Sequence, residues 1–162
     1  MADRLPLDAY YTPDYVARAC VRAIGLPTKR PVRVLEPSVG NGAFVRALAG
    51  HDVSAIDIDP AAPGLFRVGL EIGAVADFTT WDSGDYQPDW VIGNPPFSHA
   101  QAHAERALAL ACLGGALLLR LAFLETPRLP HRGIGERLAR LPPNAYHRHA
   151  PEPKAVRIMP FA

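Results

Sequence analysis

Five short apolar runs recur along the chain, and most end on an acidic residue. They are "VRVLE" at 32–36, "DVSAIDID" at 52–59, "GLEIGAVAD" at 69–77, "PDWVIGN" at 88–94 and "ALLLRLAFLE" at 116–125. Runs this short and this continuous suit strands that are covered on both faces. Helical segments alternate with them, at Ala43 to Leu48 and over "HAQAHAERALALACL" at 99–113. That alternation predicts βαβ units, hence an α/β fold with a largely parallel, doubly wound sheet and helices on both faces. With 162 residues and neither a linker nor an internal repeat, the expectation is a single domain over residues 1–162.

A further helix precedes the first strand, over "YYTPDYVARACVRAIG". Thr12 can cap it, Pro13 suits its first position, and Gly25 suits the residue just past its end. Val16, Cys20, Ala23 and Ile24 share one face of it. Gly114 and Gly115 are expected to stop the helix that begins near His99. Cys20 and Cys112 both fall inside these helices without metal-type spacing, so they read as buried free thiols in a reducing cytoplasm. The opening "MADRLPLDAYYTP" is polar and shows no apolar signal-peptide core. The apolar run "GGALLLRLAFL" is broken by Arg120 and is too short to cross a bilayer, so no membrane association is expected.

Charge is unevenly placed. Residues 120–162 hold eight Arg or Lys against three Glu, whereas the rest of the chain holds nine basic against thirteen acidic groups. The basic C-terminal third, with His131, His147 and His149, either faces phosphate or is a solvated arginine-rich surface. Beyond Glu125 the pattern holds a short basic helix in "RLPHRGIGERLARLPP" and one or two edge strands in the Pro-rich tail.

Ligands of open α/β sheets sit beyond the carboxyl ends of the strands. "EPSVGNG" occupies that place after the first strand. Gly40 and Gly42 allow close backbone approach to a ligand, and Asn41 tolerates unusual backbone angles. Asp57 ends the second strand, where such sites carry a ribose-binding carboxylate, so a nucleoside-containing cofactor is expected. A dinucleotide loop would place a third glycine where Val45 stands, and Glu36 just ahead of the loop repels phosphate but suits a cation. S-adenosylmethionine, with a sulfonium, an ammonium and no phosphate, therefore fits better than a nicotinamide cofactor; a tight turn with no ligand is the remaining reading. Asp77 ends the third strand and can accept from an exocyclic amine, while Phe78 offers a ring face. Alone, that pair would read as turn plus core.

The fourth strand runs into "GNPPF". Consecutive prolines fix two φ angles and remove two donors, so Asn94, Pro95, Pro96 and Phe97 form a stiff turn carrying one amide and one aromatic ring. Its plainer reading is a rigid strand-to-helix turn with Phe97 in the core. His99 and His103, four residues apart, have no third ligand at metal spacing and read as a solvated helix face.

Together "YYTP", "LEPSVGNGAF", "AIDIDP", "ADFTTWD", "IGNPPF" and "LRLAFLE" resemble, in order and spacing, the S-adenosylmethionine-dependent N6-adenine DNA methyltransferases. The order is that of the gamma-type enzymes, and "NPPFSHAQAHAERAL" looks most like their small phage-type members. The resemblance covers roughly residues 10–125 and implies a Rossmann-like class I methyltransferase fold. It implies that Tyr11, Thr12 and Pro13 touch the methionine end of the cofactor, and that Glu36, Pro37, Ser38, Gly40 and Gly42 form its loop. By the same resemblance Asp57 and Ile58 hold the ribose, Asp77 and Phe78 the adenine, and Asn94 borders both ligands. Asn94, Pro95, Pro96 and Phe97 would face an adenine flipped out of DNA. Val39 departs from the family pattern, where a smaller residue is usual. The tail "NAYHRHAPEPKAVRIMPFA" lacks the downstream Pro-Ser-Phe-like motif, and no separate target-recognition domain is visible.

Asn-Pro-Pro-aromatic after a strand serves methylation of a conjugated nitrogen more generally than DNA alone. RNA (guanine N2 or adenine N6) and protein glutamine are the alternative acceptors. A weakly active cofactor-binding subunit that needs a partner to grip DNA is the reading from another class; a homo-oligomer or a specificity partner is the association expected.

Overall fold

A computed structural model describes residues 11–66 and 69–120, with the backbone alone at Arg120 and at Ala155–Phe161. Helix α1 (Asp14–Ile24) leads into β1 (Arg33–Glu36), α2 (Ala43–Ala47) and β2 (Asp52–Asp57). A 3₁₀ turn at Pro63–Phe66 precedes β3 (Gly73–Val75), and β4 (Trp90–Gly93) follows. A second 3₁₀ turn, Phe97–His99, leads into α3 (Ala100–Leu110), then β5 (Gly114–Arg120) and β6 (Ala155–Phe161). The strands form one sheet in the order β3-β2-β1-β4-β5-β6, and every neighbouring pair is parallel.

The strands are apolar at both parities because both faces are covered. Val34, Ile92, Ala116 and Leu118 point to one face and pack with Ala17, Cys20, Ile24, Phe44 and Leu48 from α1, α2 and the end of α2. Leu35, Val91, Leu117 and Leu119 point to the other and pack with Ala100, Ala104 and Ala107 of α3. Alanines on that face of α3 let the helix lie close to the sheet. The doubly wound reading is thus correct, although among the described residues the segment between β3 and β4 carries no helix.

Several local expectations need correction. Thr12 does not cap α1, whose N-cap residue is Pro13 and which has no side-chain cap; the Thr12 hydroxyl instead accepts from Asn94. Ala17, not Ala23, completes the buried stripe with Cys20 and Ile24, because positions 17, 20 and 24 fall on one side of a 3.6-residue helix while Ala23 is exposed. Helix α3 ends at Leu110 as Ala111 turns extended, so Gly114 and Gly115 open β5 rather than stop the helix. Cys112 consequently lies outside any helix and is exposed, whereas Cys20 is buried as expected. β3 is shorter than the run that predicts it. One of the tail strands is observed as β6; the basic helix, the tail histidines and most of the basic surplus lie outside the described residues.

Topology positions the site. The chain runs β1, β2, β3 outward on one side, then crosses to the far side of β1 for β4 and β5. The direction of winding therefore reverses between β1 and β4, which opens a crevice at their carboxyl ends. The residues that follow those two strands are the glycine loop and Asn94-Pro95-Pro96-Phe97.

Candidate active site

The loop after β1 is held from below by its own amides. The Val39 N–H donates to the Ile56 carbonyl at 3.0 Å and the Gly42 N–H to the Val39 carbonyl at 2.7 Å. Gly40 donates to Asp57 Oδ2 at 2.8 Å, and Ala43 to Asn41 Oδ1 at 3.2 Å. Gly40 and Gly42 sit at φ of 48° and 78°, where a side chain is strained, and Tyr11 lies over Gly40. The Asn41 side chain closes an Asx turn onto the Ala43 N–H just ahead of α2, whose N-cap residue is Gly42.

Gly64, which the sequence reading passes over, clamps this loop. Its N–H donates to the Gly40 carbonyl at 2.8 Å, and a Cβ there would come within 2.9 Å of both Gly40 O and Gly42 N. It would also come within 2.5 Å of a Val39 methyl. Val39 packs with Ala55 and Ala62, and the missing side chain of Gly64 makes room for its bulk beneath the loop. Arg46 of α2 joins α1 to the loop, with Nε bonding both Asp14 oxygens at 3.1 Å and Nη1 the Asn41 carbonyl at 2.7 Å.

A cleft of about 310 Å³ opens over this floor. Of the residues expected at the site, Tyr11, Pro37, Ser38, Gly40, Asp57, Ile58, Asp77, Phe78, Asn94, Pro95, Pro96 and Phe97 line it. Thr12 lines a small adjoining recess with Tyr11, Ser38, Gly40 and Asn94. Pro13, Glu36 and Gly42 do not line the cleft. Pro13 starts α1, Gly42 turns the chain into α2, and Glu36 lies beneath the floor.

Glu36 is only 1% exposed, and it touches both halves of the crevice. Its Oε1 accepts the Ser38 N–H at 3.4 Å, and its carboxylate also accepts the Asn94 N–H. A Cβ on Gly93 would lie 2.0 Å from Glu36 Oε1, so the glycine ahead of Asn94 is there to admit this carboxyl. Burial pushes Glu36 well above the ordinary carboxylate range, against the Ser38 hydrogen bond, and nearby Asp57 adds to the rise.

Asp77 behaves oppositely. Exposed at the turn after β3, it is lowered by the Thr79 hydroxyl and then the Thr79 N–H, both of which bond Oδ1. Both bonds fall on Oδ1, so neither occupies Oδ2. Phe78 is almost wholly buried yet borders the cleft, with its ring 5.4 Å from that of His103.

His103 corrects the reading of a solvated face. It is 5% exposed and lines the cleft, with Nδ1 3.0 Å from the His99 carbonyl and Nε2 3.3 Å from Ser38 Oγ. His99 is exposed, and the described residues hold no cluster of three His, Cys, Asp or Glu suited to a metal. His103 escaped the sequence reading because its partners are distant in the chain and helical spacing does not say which side is covered.

Asn94 Nδ2 donates to Thr12 Oγ1 at 3.0 Å, which turns the carboxamide oxygen away from Thr12. Pro95 is buried and Phe97 half-buried, so the ring is neither core nor free surface. A pyrophosphate would need free loop amides at a helix N-terminus. Here the amides of Ser38, Val39, Gly40, Gly42 and Ala43 are all taken by protein acceptors, and α2 spans only five residues. With Asp57 and Asp77 on its walls, the cleft suits a cationic ligand with an adenosine-like part.

No family model and no curated protein matches the sequence. Among solved structures, the 23S rRNA methyltransferase ErmE superposes with a TM-score of 0.56 at 20% identity, over 79% of this chain and 52% of its own. The CcbJ methyltransferase from Streptomyces caelestis gives 0.47 at 21% identity, over 67% and 52% of the two chains. The plantazolicin methyltransferase BpumL gives 0.48 at 18% identity, over 62% and 44%. The two lower scores are too weak to build on. The chain has the Rossmann-like fold of class I methyltransferases, and it spans about half the length of the ErmE chain. Among the described residues no helix is long and apolar enough to cross a membrane.

Proposed function

We propose that this chain transfers a methyl group from S-adenosylmethionine to the exocyclic N6 amine of adenine in DNA. The observation that carries the reading is a meeting in one cleft. A glycine loop with occupied amides and two strand-end carboxylates faces Asn94-Pro95-Pro96-Phe97 across the β1/β4 switch point.

The residues fit the donor. Asp57 would take the ribose hydroxyls, Asp77 Oδ2 the adenine amine, and Ile58 and Phe78 the ring. Tyr11, Thr12 and the loop around Pro37, Ser38 and Gly40 would border the methionine end. S-adenosylmethionine supplies a methyl on a positively charged sulfur, whose carbon–sulfur bond breaks with its electron pair returning to sulfur.

The chain's own task is to activate a poor nucleophile. The N6 lone pair is delocalised into the base, and accepting hydrogen bonds from both N6 protons localises it on nitrogen. The Asn94 side-chain oxygen and the Pro95 carbonyl are those acceptors, held still by two proline rings and by the Thr12 contact. Such preorganised dipoles count for most where water is excluded. Phe97 is the platform for an extruded base, a contact worth roughly 1–3 kcal/mol against an unstacking cost of a few kcal/mol.

The same chemistry on RNA is the second reading, favoured by the likeness of fold to an rRNA methyltransferase. Incubation with labelled donor and, separately, unmethylated DNA, RNA and a protein extract distinguishes them. N6-methyladenine in DNA is the expected product. Label confined to RNA or protein moves the acceptor, and donor binding without any labelled acceptor favours a subunit that needs a partner.

A further inference from the structure

The contacts of His103 impose a protonation state. The His99 carbonyl 3.0 Å from Nδ1 can only accept, so Nδ1 carries a hydrogen. In a neutral ring Nε2 is then a lone pair, and it faces Ser38 Oγ at 3.3 Å. Ser38 has one hydroxyl proton, and that proton points to the Pro37 carbonyl at 2.8 Å. Two acceptors, Nε2 and Pro37 O, thus compete for a single hydrogen. Adding one proton at Nε2 satisfies all three contacts at once: Nδ1–H to His99, Nε2–H to Ser38, and Ser38 O–H to Pro37. The group is one proton short, and it opens onto the same cleft as Asn94, Pro95 and Phe97.

We propose that Ser38 and His103 form the proton exit for the acceptor amine. The idea rests on the methyl-transfer reading and adds a route to it. When the amine's lone pair forms the new nitrogen–carbon bond, that nitrogen becomes positive, and one of its two protons must leave the Asn94 or Pro95 oxygen that held it. Ser38 Oγ takes this proton as its own hydroxyl proton passes to His103 Nε2. The ring becomes imidazolium, still anchored at His99, and releases the Nε2 proton to water after the product leaves. No further reactant is needed.

The surroundings suit a transient acceptor. Burial holds His103 below the ordinary histidine value, so the ring is neutral at neutral pH and ready to receive. Asp77, beyond β3, favours the arriving proton, while His99, in the turn before α3, opposes its retention. Phe78 adds an uncharged ring 5.4 Å from the imidazole.

The test is the pH dependence of a single turnover at saturating donor, on the full chain, with calorimetric donor affinity measured alongside. Wild type is expected to show an acid limb of unit slope with its midpoint below 6.5 and a plateau above it. His103→Gln should remove the limb and lower the plateau by about 100-fold or more. Ser38→Ala should lower the plateau comparably, read at a donor concentration that saturates the variant. Nitrogen NMR of wild type should find the Nδ1–H tautomer. Wild-type rates and limb in either variant would overturn the exit while leaving methyl transfer intact, as would an Nε2–H tautomer. If His103→Gln also loses donor binding, Ser38→Ala alone decides, and a full rate there overturns the exit. Failure of wild type to bind donor or to label any acceptor overturns both readings.

Discussion

The glycine loop and the Asn-Pro-Pro-Phe turn stand on opposite sides of one crevice and are immobilised by opposite means. The loop is fixed by giving its N–H groups away to Ile56, Asp57, Val39 and Asn41. The turn is fixed by ring closure, which removes donors and leaves carbonyls and one carboxamide to accept. Both walls therefore present acceptors, and that polarity suits a cation on one side and an amine on the other. They share a single buried fastener, Glu36, which takes the Ser38 N–H from the loop and the Asn94 N–H from the turn.

The contrast can be broken at the turn first. Asn94→Ala should cut methyl transfer by about 10²–10³, the scale of one lost preorganised contact to the reacting group. Donor affinity by calorimetry should barely move; an equal loss of both would mean that the carboxamide serves the donor rather than the amine. The fastener comes next. Gly93→Ala places a methyl 2.0 Å from Glu36 Oε1, and overpacking of that kind costs about 1–3 kcal/mol or more in a urea titration. Shortening Glu36 to Ala in the same chain should recover part of the loss, and strict additivity would show that the two positions do not meet.

Glu36→Gln probes charge rather than shape. Above the ordinary value of 4.5 the unfolded chain ionises Glu36, while burial keeps the folded carboxyl protonated. Folding then takes up a proton, so wild-type stability falls as pH rises from that value through the raised folded pKa. Glutamine cannot ionise, and its advantage should grow by up to about 1.4 kcal/mol per pH unit across the window. A pH-independent difference in urea midpoints would mean that Glu36 is ionised in the folded protein. The smallest effect belongs to the surface strap: Arg46→Ala should cost about 1 kcal/mol or less, because both partners are substantially exposed. A markedly larger shift in thermal midpoint would make the strap a principal support of the loop.

What was legible in the sequence was whatever depends on neighbours along the chain. Apolar runs, the glycines at 40 and 42, the proline pair and the strand-end carboxylates each carry a local signal. What escaped was set by contacts across the fold. Thr12 reads as a helix cap until Asn94, 82 positions later, is seen to hold its hydroxyl. His103 reads as a surface residue until Ser38, 65 positions earlier, meets it. Gly64 sits in a stretch with no periodic pattern, and only the loop above it explains why a side chain is excluded. Glu36 was legible as an acid beside the loop, but its place beneath the floor follows from the pairing of β1 with β4.

The filled loop amides have a consequence for competition. Most adenosine compounds in a cell are phosphate esters, and the donor site proposed above would meet them constantly. A nucleotide entering here would find the amides of Ser38, Val39, Gly40, Gly42 and Ala43 already taken, above a floor holding Asp57, so its phosphates would gain no hold on that loop. The loop's bias against phosphate is thus inherited from hydrogen bonds that it forms in order to fold.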